Sequence, residues 1–341
     1  MSAQSTLLPA DVPPSPSRQR AATRLLRKLA ESPEAGVLIA CVVVFVLIAL
    51  NAPTYASIGN MQVMGRDLSQ VGILAIGESL VILTGGIDLS VGALAGLAGI
   101  LAAWFNVNKG VPAPVSILLA IAICAVVGLW HGTMVTRLKV PPFVITLVTF
   151  TVAQGLSLAI TSGLPINGID PLFSNLSSYY VDEIPVPALF FVGAAAVAWF
   201  VLERTYIGRQ IYAVGGNKEA ARLAGIPTGR RITSTYIASS VLAGVVGVLV
   251  IGRMNVADPS VGPGWELIAI AAAVIGGASL FGGEGRIVGI AAGAILLEFI
   301  SNGLLALHIS PYYQQVVQGS VLGVAILLDR VRARYFGRGR R

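Results

Sequence analysis

Val81-Ile-Leu-Thr-Gly-Gly-Ile-Asp-Leu-Ser-Val-Gly-Ala-Leu-Ala-Gly96 is an apolar run with one interruption: Gly85-Gly86, followed by Asp88. The pattern reads as helix, break, helix. A Gly pair stops the first helix, and Asp88 is a natural N-cap for the second. The run has no in/out alternation, so it does not read as a barrel strand. An acid inside such a run must face a bundle interior or a wet cavity, be hydrogen-bonded, or be protonated, because a charge at the bilayer centre costs about 2.5–3.5 kcal/mol.

The surrounding chain has the same character. Of its 341 residues, 55% are hydrophobic and 11% are charged, where a soluble domain carries about 25% charged residues. Mean hydropathy is +0.81. There is too little polar surface to cover a soluble core of this length. The 39 glycines suit helices that approach backbone to backbone in lipid. The reading is an all-α integral membrane protein.

A span needs about 20 mainly apolar residues. Ten candidates emerge, near 36–52, 68–84, 89–105, 113–134, 143–162, 187–203, 232–252, 264–281, 287–306 and 312–329. Residues 1–35 form a polar N-terminal extension, 36–329 a transmembrane domain and 330–341 a basic tail. The first apolar run ends in Asn51-Ala-Pro53 with no small-residue cleavage site, so it reads as a retained span. With both termini cytoplasmic, 20 of the 23 Lys and Arg residues fall inside, and only Arg66, Lys109 and Arg253 fall outside. That asymmetry sets the orientation. It also accounts for the net charge of +7, so no nucleic-acid partner is expected.

The interruption has an echo. Gly85-Gly86-x4-Val91-Gly92-x3-Gly96 matches Gly282-Gly283-x4-Val288-Gly289-x3-Gly293 at an offset of 197. Transporters are often built from two repeats. Two independent glycine packing stripes would look the same.

A second glycine pair sits in a different setting. Ala213-Val-Gly-Gly-Asn-Lys-Glu-Ala-Ala-Arg-Leu-Ala-Gly-Ile226 is an island of charge in the long inside loop, 204–231. A glycine pair before a helix can cradle a phosphate. Here no G-x-x-x-x-G-K-[ST] occurs and no parallel strand precedes it. Asn217 reads as an N-cap, Lys218 to Ala224 as a short helix, and Gly225 with Pro227 as its stop. Such a helix is too short to stand alone in water. It docks either on the chain's own inner surface or on a partner. Ala220, Ala221 and Ala224 give it a small face, with Glu219 and Arg222 at the rim.

Chemistry motifs are missing: no H-E-x-x-H, no G-x-S-x-G and no paired Cys. Cys41 and Cys124 read as buried hydrophobes, and His131 and His308 as helix-end residues without a metal pattern. No cofactor is expected. The polar residues inside spans are the candidates for a path. Glu78, Asp88, Gln154, Glu298, Asn302 and Gln318 are the main ones, with Glu266 and the Thr146, Thr149, Thr151 cluster beside them. They can bind a hydroxyl-rich solute or clamp helices together.

VILTGGIDLSVGALAG (81–96), PPFVITLVTF (141–150), YAVGGNKEAARLAGI (212–226) and GGASLFGGEGRIVGIAAGAIL (276–296) resemble the ribose/xylose/arabinose-type permeases of bacterial ABC importers. The resemblance runs from about 36 to 329. Gly-Gly-Ile-Asp-Leu-Ser is more similar to that branch than to the related branched-chain amino acid permeases. The resemblance implies a permease dimer in the bacterial inner membrane, a periplasmic sugar-binding protein and a cytoplasmic ATPase. It implies that Gly215, Gly216, Glu219, Ala220 and Gly225 lie in the helix that couples to the ATPase, with Asn217 and Arg222 in the same loop. The alternatives are a proton-coupled secondary transporter, or an ABC permease for another small polar solute such as a branched-chain amino acid or nucleoside.

Overall fold

Helix α1 (Pro33–Asn51) leads into α2 (Ile58–Leu83), which ends at the Gly85-Gly86 break. The computed structural model describes residues 33–310 together with Tyr313, Val316, Val317, Gly319, Ser320, Gly323 and Leu327. Most of the polar extension, the basic tail and most of the expected span 312–329, including Gln318, lie outside the described residues.

The break is a Schellman closure. Gly85 adopts φ +78°, its amide donates to Ile82 O at 2.8 Å, and the Gly86 amide donates to Val81 O at 3.1 Å. Only glycine takes that conformation cheaply. The chain then doubles back, and α3 (Val91–Ala103) begins, extended by a π-helical turn, Trp104–Asn108. Asp88 does not cap α3 directly. The cap position is Ser90, whose side chain makes no capping bond. Asp88 Oδ1 instead accepts from Ser90 N at 2.9 Å and Ser90 Oγ at 2.6 Å, tightening the turn that enters the helix.

Next come α4 (Ala113–Thr136), α5 (Pro142–Thr161) and the short α6 (Pro171–Ser178). Proline in the first turn of each fits there because those N–H groups lack helical partners. A two-residue hairpin pairs β1 (Tyr180–Val181) with β2 (Ile184–Pro185). Helix α7 (Val186–Trp199) ends in a second π turn, Phe200–Arg204. The expected inside loop is largely helical: α8 (Tyr206–Gly216) and α9 (Lys218–Leu223) fill it. Then follow α10 (Thr228–Met254), α11 (Trp265–Ile275) and α12 (Ile287–Ala306).

Among the described residues, seven helices are long and apolar enough to cross a membrane: α1, α3 with its π turn, α4, α5, α7 with its π turn, α10 and α12. Two of the expected spans differ from that pattern. Helix α2 is 26 residues long but carries Arg66, Asp67 and Glu78, and nearly all of its second half is buried. Helix α11 has 11 residues, about 17 Å against a hydrocarbon core of about 30 Å. It stops at Gly276, and Gly277 follows at φ +92°, so the apolar run 264–281 is half helix and half turn.

Helix α10 lies at the centre, packed against α2, α3 and α4. Small residues let it close in: a Cβ on Gly128 would lie 2.6 Å from Ile237 Cα. The bundle has two distinct ends. The Arg286 side chain bridges Glu34 and Glu203 at 3.3 Å each, tying the starts of α1 and α12 to the end of α7. Arg253 pairs with Asp67 toward the opposite end of α2 and α10.

Candidate functional site

Two features meet at the Gly85-Gly86 break. The first is the foot formed by α9. Asn217 Oδ1 accepts from Ala220 N at 2.9 Å, so Asn217 caps the helix. The helix closes as α2 does, with Gly225 at φ +79° and Ile226 N donating to Ala221 O at 3.0 Å. Ala221 is buried and the other five residues of α9 are exposed. Arg222 Nε donates to Glu219 Oε2 at 3.2 Å. That hydrogen bond and the adjacent positive charge hold the Glu219 carboxyl below its ordinary range.

Three glycine pairs join this foot to the membrane helices. A Cβ on Gly215 would collide with the Leu83 carbonyl oxygen and lie 2.5 Å from Gly283 N. A Cβ on Gly282 would lie 2.9 Å from Gly85 N and 3.0 Å from Gly215 O. A Cβ on Gly283 would lie 2.6 Å from Gly216 N. The Gly283 amide donates to Leu83 O at 3.0 Å, and Tyr212 Oη on α8 donates to Gly285 O at 2.8 Å. The ends of α2 and α8 and the turn before α12 therefore share one backbone-to-backbone contact that no side chain could enter.

The second feature is a buried polar cluster behind the break. Glu78 is fully buried, and its Oε1 accepts from Asp88 N at 3.1 Å. Glu78 lies five residues before the end of α2, about 7 Å along the axis, so the returning chain climbs back into the bundle. Asp88 Oδ2 accepts from Ser239 Oγ at 3.4 Å and lies 4.0 Å from His131 Nδ1. His131 Nε2 and Thr149 Oγ1 are 2.8 Å apart, and the His131 and Tyr236 rings meet edge-on at 5.9 Å. Thr146 Oγ1 accepts from Leu89 N at 3.1 Å. His131 is therefore a buried member of this cluster, not the ordinary helix-end residue the sequence suggested. Among the described residues no group of His, Cys, Asp and Glu is arranged to hold a metal.

The remaining candidates lie elsewhere. Asn302 Oδ1 accepts from Asn60 Nδ2 at 2.9 Å, eighteen residues and about 27 Å along α2 from Glu78. Glu298, one turn before Asn302 on α12, is buried. Gln154 is half-buried on α5, eight residues past Thr146. Glu266 is tied locally, its carboxylate accepting from Gly264 N at 2.9 Å. Thr151 is exposed and donates only to Leu147 O in its own helix. These polar residues occupy separate stations along the bundle and do not make one pocket.

A cavity of about 830 Å³ joins the two features. Lys218, Glu219 and Arg222 of the foot line it, as do Thr136, Lys139 and the break residues Gly85 and Gly86, with Tyr236 on its wall. A separate groove of about 700 Å³ between α2, α7 and α10 is lined by apolar residues such as Leu80, Phe190 and Leu242, and offers a polar solute nothing to bond.

Residues 66–326 match the family described as branched-chain amino acid transport system / permease component. The chain belongs to this permease family. It is 39% identical over 300 residues to the ribose import permease protein of Bacillus subtilis, covering 87% of this chain and 93% of that one. It is 35% identical to the D-allose transport system permease protein of Escherichia coli, over 86% and 90% of the two chains. The xylose transport system permease protein of Haemophilus influenzae is 30% identical, over 86% and 94%. No solved structure matches. The chain is thus a multi-pass membrane transport component, and its relatives are permeases rather than enzymes.

Sequence reasoning found the foot, the break and Glu78, Asp88, Thr146 and Thr149. It passed over Tyr236, Ser239 and Ser240. Their signal was present: Tyr236 and Ser240 are four apart and Ser239 three from Tyr236, a polar stripe on one face of an apolar helix.

Proposed function

We propose that this chain is the permease subunit of a bacterial ABC importer for a monosaccharide, a pentose such as ribose or xylose being the first choice. The observation that carries the reading is the glycine contact between the end of α8, which leads straight into the exposed foot, and the Gly85-Gly86 break. A partner that grips α9 pulls directly on the ends of α2 and α8 and on the turn before α12. The sugars named for the relatives support the choice of cargo. In this reading a cytoplasmic ATPase holds the foot through Gly215, Gly216, Asn217, Glu219, Ala220, Arg222 and Gly225. A periplasmic binding protein delivers sugar to the opposite face, and a second permease copy completes the assembly in the inner membrane.

The topology that goes with it is ten crossings with both termini cytoplasmic, the eighth made by the short α11 together with the turns on either side of it and the last by 312–329. The Gly282-Gly283 turn is the counterpart of the Gly85-Gly86 break, in the manner of a parallel repeat. Glu78 with Asp88, Gln154, and Glu298 with Asn302 are successive stations of the path, and Gln318 is a further candidate. Reconstitution tests the whole. Liposomes holding this chain with its ATPase and binding protein should take up sugar only when ATP is supplied. Accumulation by the chain alone on a proton gradient would replace this reading with secondary transport.

A further inference from the structure

Among the described residues, and apart from Arg66 Nε nearer the other end of α2, four buried side-chain atoms lack a hydrogen-bond partner: Glu78 Oε2, His131 Nδ1, Tyr236 Oη and Ser240 Oγ. All four belong to the cluster behind the Gly-Gly break. Tyr236 and Ser240 are one turn apart on α10, and the Tyr236 ring meets the His131 ring edge-on. The Glu78 carboxylate is bonded to the Asp88 amide on its other oxygen. Leaving one such atom buried and unpaired costs about 1–3 kcal/mol, so four together in a single cluster call for a shared occupant.

The stereochemistry of the four atoms describes that occupant. A carboxylate oxygen accepts, an imidazole nitrogen donates or accepts, and two hydroxyls do both. Among the described residues no Lys or Arg side chain bonds the cluster, so the occupant is not an anion held by a basic side chain. Access is also defined. A Cβ on Gly86 would lie 2.5 Å from Tyr236 Oη, so that hydroxyl rests close against the backbone at the break. Gly86 and Tyr236 both line the cavity that reaches the foot.

We propose that Glu78, His131, Tyr236 and Ser240 form a hydroxyl-binding site inside the single protomer. It takes the hydroxyl groups of the transported monosaccharide and opens to the cavity beside the foot when the Gly85-Gly86 turn moves. Water holds the site when sugar is absent, since a polar chamber with several bonding groups stays wet. The proposal rests on the sugar-importer reading and adds residues and a location to it. It places the last station of the path next to the contact on which the ATPase acts.

Radiolytic hydroxyl footprinting of the full chain in lipid nanodiscs tests it, because bound water inside a protein labels neighbouring side chains. Tyr236 should label several-fold faster than Tyr55, which is equally buried but bonded to Phe299 O. His131 should label with it. Adding D-ribose, D-xylose, D-allose or D-galactose at millimolar concentration should slow both sites several-fold for at least one sugar and leave exposed Tyr179 unchanged. Ser240→Val should cut labelling at Tyr236 and His131, whereas Ser240→Thr, of nearly the same shape but with its hydroxyl kept, should not. Preserved protection of Tyr55 in both variants reports that they are folded.

Tyr236 labelling as slow as Tyr55 would overturn the proposal. So would fast labelling that none of the four sugars slows, which would leave water as the sole occupant. Uptake by the reconstituted complex is measured alongside. A complex that imports one of these sugars without protecting Tyr236 overturns this inference alone. A complex that imports none of them overturns the importer reading beneath it.

Discussion

The amide of Gly283 donates to the carbonyl of Leu83 at 3.0 Å, across two segments 200 residues apart in the chain. Gly215 occupies the remaining space beside that bond. A backbone hydrogen bond between the end of α2 and the turn before α12, with Gly215 of α8 against it, ties the three segments together. A coupling device needs that property, and its behaviour can be checked.

Gly215→Ala should uncouple the permease. The added methyl collides with Leu83 O, and overpacking of this kind costs about 1–3 kcal/mol. Stimulation of the partner ATPase by sugar-loaded binding protein should fall sharply while membrane insertion persists. Gly193→Ala on α7 is the control, since no atom lies within 4 Å of its Cβ position. Equal stimulation in the two variants would remove the glycine contact from the account.

The foot itself depends on its cap. Asn217→Ala removes the bond to Ala220 N, at a cost of about 0.5–2 kcal/mol. Assembly of the permease with its ATPase, followed by co-purification, should weaken, and Asn217→Asp should restore it. Glu219→Lys should be more damaging, because it places a positive charge beside Arg222 and removes the acid from the first turn of the helix.

The Glu219–Arg222 pair also sets a pH dependence. The carboxyl of Glu219 is held below its ordinary range by Arg222. A depressed folded value means the pair contributes fully above the unfolded value of about 4.3 and is lost as pH falls through the folded one. ATPase stimulation attributable to the foot should therefore be flat from neutral pH down through the ordinary glutamate range. Glu219→Gln should remove the acid-side loss. A transition near neutral pH would assign control to another group.

Glu78→Ala should destabilise the protein by about 1–3 kcal/mol, because it leaves the buried Asp88 amide without its acceptor. Glu78→Gln keeps an oxygen for that amide and should melt close to the parent in detergent. Equal melting of the two variants would mean that the amide finds another acceptor. Asp88→Ala should reduce uptake through loosening of the entry to α3, since the Ser90 amide and hydroxyl both lose their acceptor.

The lengths and faces of most helices were legible because hydrophobic runs and proline starts are local signals. The foot was legible for the same reason: Asn217, Gly225 and Pro227 punctuate it within eleven residues. The apolar run 264–281 misled, since composition cannot show that Gly276 and Gly277 end the helix halfway. Asp88 also misled in detail, as the turn around Ser90 decides which residue takes the cap position. The meeting of Gly85, Gly215 and Gly283 was beyond reach. Each pair was visible, but close backbone approach between distant segments leaves no local mark. The cluster was half legible for a related reason. Acids stand out in apolar helices, whereas Tyr236 and Ser240 pass as ordinary helix residues until folding places them beside Glu78 and His131.

The most direct measurement is uptake of labelled monosaccharide by proteoliposomes holding the permease, its ATPase and its binding protein, with and without Gly215→Ala. The account predicts uptake that needs ATP, survives collapse of the proton gradient and is lost in Gly215→Ala while the complex still assembles. Uptake by the permease alone on a proton gradient, or full ATP-driven uptake in Gly215→Ala, would contradict it.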